Sequence, residues 1–217
     1  MEFSVRQSLT IRDWKMFVDA AIFRTEYSDM IEFIFKVYKP DSVIIPSLKH
    51  IGFKSLNIGK ARITGLEIGI TGNGKIGNLL LNMFAGYTYT DPVDLSSETL
   101  TNNILKYRYR HSFKANISAD IQKFTIGTSV IYRSFIERID AIFEEEILGQ
   151  EIFPGLKEYR LKNNQGNWVF DLSLAYDVTN SASLSVIGRN IFNKEYMGRP
   201  GDIQPPRNII LQSVIHF

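Results

Sequence analysis

Polar and apolar side chains alternate without a break along residues 106–121. Tyr107, Tyr109, His111, Phe113, Ala115, Ile117, Ala119 and Ile121 fall on one side, and Lys106, Arg108, Arg110, Ser112, Lys114, Asn116, Ser118 and Asp120 on the other. A period of two predicts a strand, because successive Cβ atoms point to opposite faces of a sheet. Residues 124–136 repeat it, with Phe124, Ile126, Val130, Tyr132 and Ile136 opposite Thr125, Gly127, Ser129, Arg133 and Glu137. So do residues 167–177, where Trp168, Phe170, Leu172, Leu174 and Tyr176 oppose Asn167, Asp171, Ser173 and Asp177, and residues 78–90, where Leu79, Leu81, Met83, Ala85, Tyr87 and Tyr89 oppose Asn78, Asn82, Thr88 and Thr90. Weaker forms at 2–11, 15–27, 57–71, 183–192 and 207–217 bring the predicted strands to nine.

Strands of a soluble sandwich usually run about 5–6 residues. Several of these run twice that, the length a tilted strand needs to cross a hydrocarbon layer, and their apolar faces end in Tyr, Trp or Phe as an interfacial girdle requires. The connections alternate in length as well. Residues 11–14, 71–74, 121–123 and 178–181 are short, whereas 28–53, 91–105, 138–165 and 193–206 are long. The Asn73-Gly74 step predicts a tight turn at 71–74, since these residues tolerate positive φ. Short turns on one side and long loops on the other are the habit of an outer-membrane barrel, and a sandwich has no reason to sort its loops by parity. The fold class expected is therefore all-β, a transmembrane antiparallel β-barrel. Nine is odd, so the first and last strands run in the same direction and Met1 starts on the outer side. A self-sufficient barrel has an even count, so residues 1–217 are expected to be part of a larger one.

Composition narrows the function. With 25 Lys and Arg against 23 Asp and Glu, the net charge of +2 gives no bulk attraction for nucleic acid. No cysteine is present, which removes disulfides, thiol catalysis and cysteine-bound zinc, and the three histidines (His50, His111, His216) are scattered. No run of about 18 apolar residues predicts a transmembrane helix, and no basic segment followed by an apolar one opens the chain. A Gly-x-Ser-x-Gly elbow, a phosphate-binding glycine loop and His-Glu-x-x-His are all missing, so no enzyme, metal or cofactor is expected.

The run Asn190-Ile191-Phe192-Asn193-Lys194-Glu195-Tyr196, then Arg199-Pro200-Gly201, Pro205-Pro206-Arg207 and a last strand closing on Phe217, resembles the C-terminal portion of a TonB-dependent outer-membrane receptor. Residues 14–19, 27–33, 57–61 and 65–67 match habits of the same family's strands, so the resemblance covers essentially the whole chain. It implies nine C-terminal strands of a barrel of about 22, closed in the lumen by an N-terminal plug that this sequence lacks along with the earlier strands. It also implies import of a scarce solute with energy from the TonB complex, reached through the plug, in the outer membrane of a Gram-negative bacterium. An iron-siderophore is the first expectation, with an oligosaccharide or cobalamin behind it. A passive or structural barrel and a soluble β-rich binding module are the rivals from other classes.

Several residues stand out against that background. Lys106, Arg108, Arg110 and Lys114 share the inward side of one strand, and Arg133 lies on the next. Such a cluster attracts an anionic small-molecule ligand, or it is balanced by Asp120, Glu137 and Asp171 in a solvated wall. Glu67 also reads inward. Tyr159, Phe153 and Tyr196 in the outer loops offer stacking surfaces or pack the loops. Glu144-Glu145-Glu146 lacks the spacing of a calcium loop and reads as hydrated. Arg207, near the outer rim, faces lipopolysaccharide phosphate on this reading. Ile209, Leu211, Ile215 and Phe217 form an outward apolar row on the last strand; by the resemblance this is the signal read by the barrel assembly machinery, and otherwise simply a face against outer-membrane lipid.

Overall fold

The structure, a computed structural model, describes residues 1–39, 44, 48–57, 59–96, 103–147 and 150–216. In chain order its elements are β1 (Glu2–Ile11), β2 (Trp14–Tyr27), β3 (Ile31–Val37), β4 (Ile51–Asn57), β5 (Ala61–Ile76), β6 (Leu79–Asp94), β7 (His111–Ile121), β8 (Phe124–Arg133), β9 (Glu146–Ile147), β10 (Gln150–Glu151), α1 (Leu156–Lys162), β11 (Asn167–Thr179), β12 (Ala182–Arg189) and β13 (Asn208–Ile215). Nine of them make one antiparallel sheet in the order β1-β2-β5-β6-β7-β8-β11-β12-β13. Each strand lies beside its predecessor in the wall, and β3–β4, β9–β10 and α1 are built inside the long loops.

The register sorts the side chains into two faces. Across the sheet Ser8, Phe17, Thr71, Phe84, Asn116, Ser129 and Asp171 stand in one row. The neighbouring row is Gln7, Val18, Ile70, Ala85, Ala115, Val130 and Phe170, on the opposite face. Two broad grooves of about 550 and 510 Å³ open on the polar face, lined by residues such as Asn73, Asn82, Asn116, Asp171 and Arg189 in one and Asp19, Glu67 and Thr88 in the other. The apolar face is bare. Leu211 is 80% exposed, Ile209 72% and Ile68 52%, far more contiguous apolar surface than a water-facing wall carries.

Aromatic side chains bound that bare face at two heights. Toward the long loops Phe113, Tyr132 and Trp168 share a row, with the Tyr132 and Trp168 rings 4.6 Å apart. Toward the short turns the Phe124 and Tyr176 rings meet with centroids 4.8 Å apart. The belts are eight residues apart on β8 and on β11. At about 3.4 Å per residue and about 40° of tilt that is roughly 20 Å of height, close to the apolar band of a transmembrane barrel.

Several boundaries differ from the sequence reading, each for a local reason. The turn predicted at 71–74 lies instead at Gly77 and Asn78, where Gly77 takes φ +60°. Gly72 and Gly74 stay within β5 because neighbours on β2 lie over them: a Cβ on Gly72 would meet Met16 Cγ at 2.7 Å, and one on Gly74 would run into the Trp14 ring. These glycines provide side-chain clearance, and the turn signal they gave was misleading. The strand predicted from residue 106 begins at His111, because Tyr107 adopts φ +59° and residues 105–110 leave the wall to pack among the outer loops. Tyr107 and Tyr109 thus belong to a buried cluster and do not face lipid, while Phe113 stays on the outward face. His111 stays outward too, its Nδ1 2.7 Å from the Tyr87 hydroxyl. Ile136, expected on a strand, is buried in the same outer cluster.

Leu172 lies midway between the belts, so Leu172→Arg places a charge at the centre of the apolar band and is expected to cost the assembled barrel about 2–4 kcal/mol. Ser118→Arg, on the opposite face, should change stability by less than about 1 kcal/mol. Urea unfolding of the barrel in lipid vesicles distinguishes the two.

Candidate ligand-binding site

The described parts of the four long connections, within residues 28–60, 95–110, 134–166 and 190–207, meet at one end of the sheet. Ile136, Ile139, Phe143 and Leu156 form a buried cluster, against which Phe35, Tyr107, Tyr109 and Met197 pack. Phe35, brought from the first loop by the β3–β4 hairpin, stacks on Phe143 with ring centroids 4.7 Å apart. Apolar burial therefore joins loops distant in sequence into one cap, the device by which a long loop becomes a rigid surface.

Asp140 ties the cap together. It is 1% exposed, and its carboxylate accepts from the Phe35 backbone N–H at 3.0 Å, from the Tyr107 hydroxyl at 2.7 Å and from the Lys106 ammonium. Those three donors come from two other loops. A charge this deeply buried persists only when paired and hydrogen-bonded, and both conditions hold here. Burial pushes the Tyr107 phenol well above its ordinary value, with the Asp140 hydrogen bond adding to the rise. The contribution of the neutral phenol is therefore full below about pH 10 and is lost only as pH climbs through the raised folded value.

The sequence-selected cations separate into two groups. Arg108 is withdrawn from the lumen wall and binds Glu32 of the β3–β4 hairpin at 2.5 Å. Arg110 likewise lies beyond the strand, with Nε 2.8 Å from Glu137 and Nη1 3.7 Å from Asp91. Both were expected on the inward face of a strand; both serve instead to join loops. Lys114 and Arg133 do point inward from β7 and β8, where neither has a carboxylate within 4 Å among the described residues. Tyr159, on α1, donates to the Glu195 carbonyl at 3.3 Å, and burial raises its phenol, followed by the Glu195 charge. Glu144 pairs with Arg160 at 2.6 Å, which accounts for part of the acidic run. Among the described residues no group of His, Asp and Glu converges as a metal site.

Sequence reasoning missed Asp140 and Glu32. Neither belongs to a motif, and each is important through a partner that lies 33 to 105 residues away. On the last strand Ile209, Leu211 and Ile215 share the outward face of β13, which is an edge of the sheet; Phe217 lies outside the described residues.

A sheet that is apolar outside and polar inside, with aromatic belts and a folded cap over one rim, is the wall of a transmembrane β-barrel. The chain belongs to the TonB dependent receptor-like, beta-barrel family, whose model matches residues 2–191. Similar solved structures include the ferric-catecholate import receptor Fiu from K12 E. coli, with TM-score 0.65 and 18% identity over 100% of this chain and 27% of that one. They also include the pyoverdine outer membrane receptor FpvA from Pseudomonas aeruginosa PAO1, at 0.63 and 17% over 100% of this chain and 29% of that one. The copper transporter OprC gives 0.62 and 17%, over 100% and 30%. At these identities the likeness carries the fold alone. The chain spans under a third of the length of each of these relatives.

Asp140→Ala leaves the Lys106 ammonium, the Tyr107 hydroxyl and the Phe35 N–H without their acceptor, and breaking a buried pair costs about 3–5 kcal/mol. Limited proteolysis is expected to cut residues 134–166 at least about tenfold faster in that variant. The strand signal in circular dichroism should be unchanged.

Proposed function

We propose that this chain supplies nine adjacent C-terminal wall strands, with their outer loops, to a TonB-dependent receptor that binds and imports a scarce solute across the outer membrane of a Gram-negative bacterium. The observation that carries the reading is the two-faced sheet, bare and apolar outside, polar and grooved inside, with β1 and β13 left as open edges among the described residues. An open ladder in hydrocarbon costs several kcal/mol per group, so these edges call for further strands. The polar grooves, wide and water-exposed, suit a plug supplied by the rest of the receptor and coupled to TonB.

An iron-siderophore is the proposed cargo. In its support, Fiu and FpvA are named as receptors for iron chelates or their ligand, and the inward Lys114 and Arg133 suit an anionic solute. A copper, oligosaccharide or cobalamin cargo would use the same wall. The outward row Ile209, Leu211 and Ile215 on the edge strand suits recognition by the barrel assembly machinery through strand addition. Arg207, whose backbone N–H donates to Asn193 Oδ1 at 2.9 Å, ends the fourth long connection, a position that suits contact with lipopolysaccharide phosphates.

Uptake by iron-starved cells tests the reading. Cells carrying the complete receptor are expected to accumulate radiolabelled iron from a ferric siderophore, and removing TonB should abolish the uptake. Accumulation that continues unchanged without TonB would identify a passive barrel instead.

A further inference from the structure

The β3–β4 hairpin is a two-stranded sheet apart from the wall, and its register puts Ile31, Phe33, Phe35 and Phe53 on one face. One end of that face is covered, because Phe35 stacks on Phe143 of the third long connection. The rest is bare: Ile31 is 68% exposed, Phe33 62% and Phe53 59%. Hydrocarbon does not account for this. On β2 the outward positions Arg24 and Glu26 form an ion pair at 2.5 Å, so the apolar band ends below them, and the hairpin, which begins at Ile31, stands in the aqueous layer outside.

The hairpin is braced. Glu32, on its other face, pairs with Arg108 at 2.5 Å, the Phe35 N–H donates to Asp140 at 3.0 Å, and at the base the Met30 N–H donates to the Gly59 carbonyl at 3.1 Å. A contiguous apolar face that a fixed element presents to water marks a contact surface, already ordered for its partner. Its place in the fold says which partner. The second and third long connections already meet the hairpin, through Arg108 and Phe143. The hairpin rises from the outer end of β2, whose neighbour away from β5 is β1, the open edge of the sheet. The outer end of β1 lies there too, since the Arg24 N–H donates to the Met1 carbonyl at 2.8 Å. From that point β1 runs toward the short turns, so whatever leads into it in a complete barrel arrives from the outer side, beside the hairpin.

We infer that the bare face of the β3–β4 hairpin is the docking surface for the outer connection that leads into β1 in the complete receptor. The inference rests on the receptor reading above and adds an internal partner to it. That connection brings a large apolar side chain onto Phe33, between Ile31 and Phe53, as the third connection brings Phe143 onto Phe35. The cap then continues across the seam between these nine strands and the wall beside them. Order in the outer loops on both sides of the seam is thereby coupled through one hairpin, packed on one end by Phe143 and on the other by the incoming loop.

Cysteine labelling of the complete receptor in outer-membrane vesicles tests this, since residues 1–217 contain no cysteine of their own. Phe33→Cys and Ile31→Cys are expected to react with a bulky maleimide at least about tenfold more slowly than Leu161→Cys, an exposed position on α1. Replacing the connection that leads into β1 with a short Gly-Ser linker should raise both rates to that of Leu161→Cys and leave the latter unchanged. Only the SDS-resistant, folded fraction is read. Labelling of both hairpin cysteines at the Leu161→Cys rate with the connection intact would overturn the docking surface. So would protection that survives the replacement, the mark of a different loop, or protection lost in dilute detergent micelles, the mark of a separate protein or a second copy. TonB-dependent uptake alongside unprotected cysteines would leave the receptor reading standing, and protection without such uptake would leave the docking surface standing alone.

Discussion

Hydrocarbon offers the backbone no hydrogen-bond partners, and this one constraint organises the molecule. Each wall strand must give its N–H and C=O groups to two neighbours, which is why consecutive strands stay adjacent from β1 to β13 and why their pairings run ten residues or more through most of the sheet. Once the ladder is fixed, the pleat decides the rest. A side chain faces acyl chains or the interior according to its parity, and the sequence places Leu, Ile, Val and aromatic residues on one parity and Asn, Ser, Thr and Asp on the other.

Outside the hydrocarbon layer the rules change. The long loops can use water, so they need no ladder, and they reach order by burying a small apolar cluster of their own. Around it, ion pairs link the loops, Arg108 to Glu32, Lys106 to Asp140 and Arg110 to Glu137, while Arg160 to Glu144 braces the third loop from within. The grooved inner face is thus set by backbone pairing in the wall, and the rim above it by side-chain packing in the cap. Arg133 and Tyr109 meet at the boundary between these two kinds of order, one contributed by each.

Strand number, the sorting of long and short connections and the two faces are all legible in the sequence, because each follows from a period of two or from a length. The departures share a cause: local pattern does not encode a distant partner. Lys106 to Arg110 alternate as faithfully as Ser112 to Asp120, yet they leave the wall because Asp140 and Glu32 draw them into the cap. Gly72 and Gly74 read as a turn from composition, whereas the bulk of Met16 and Trp14 on the adjacent strand dictates their size. For the site, Lys114 and Arg133 were legible as inward cations. Asp140 was not, since nothing local distinguishes it from the acidic residues that follow it.

The Asp140 junction also bears on how the chain assembles. Its donors at Phe35 and Tyr107 are 105 and 33 residues away along the chain, with β5, β6, β7 and β8 folded in between. A two-residue slip between any of these strands would keep every face correctly oriented yet carry the Phe35 donor about 7 Å out of reach. The ladder by itself tolerates such a slip. The cap does not, so Asp140 is sensitive to the register of strands it never touches.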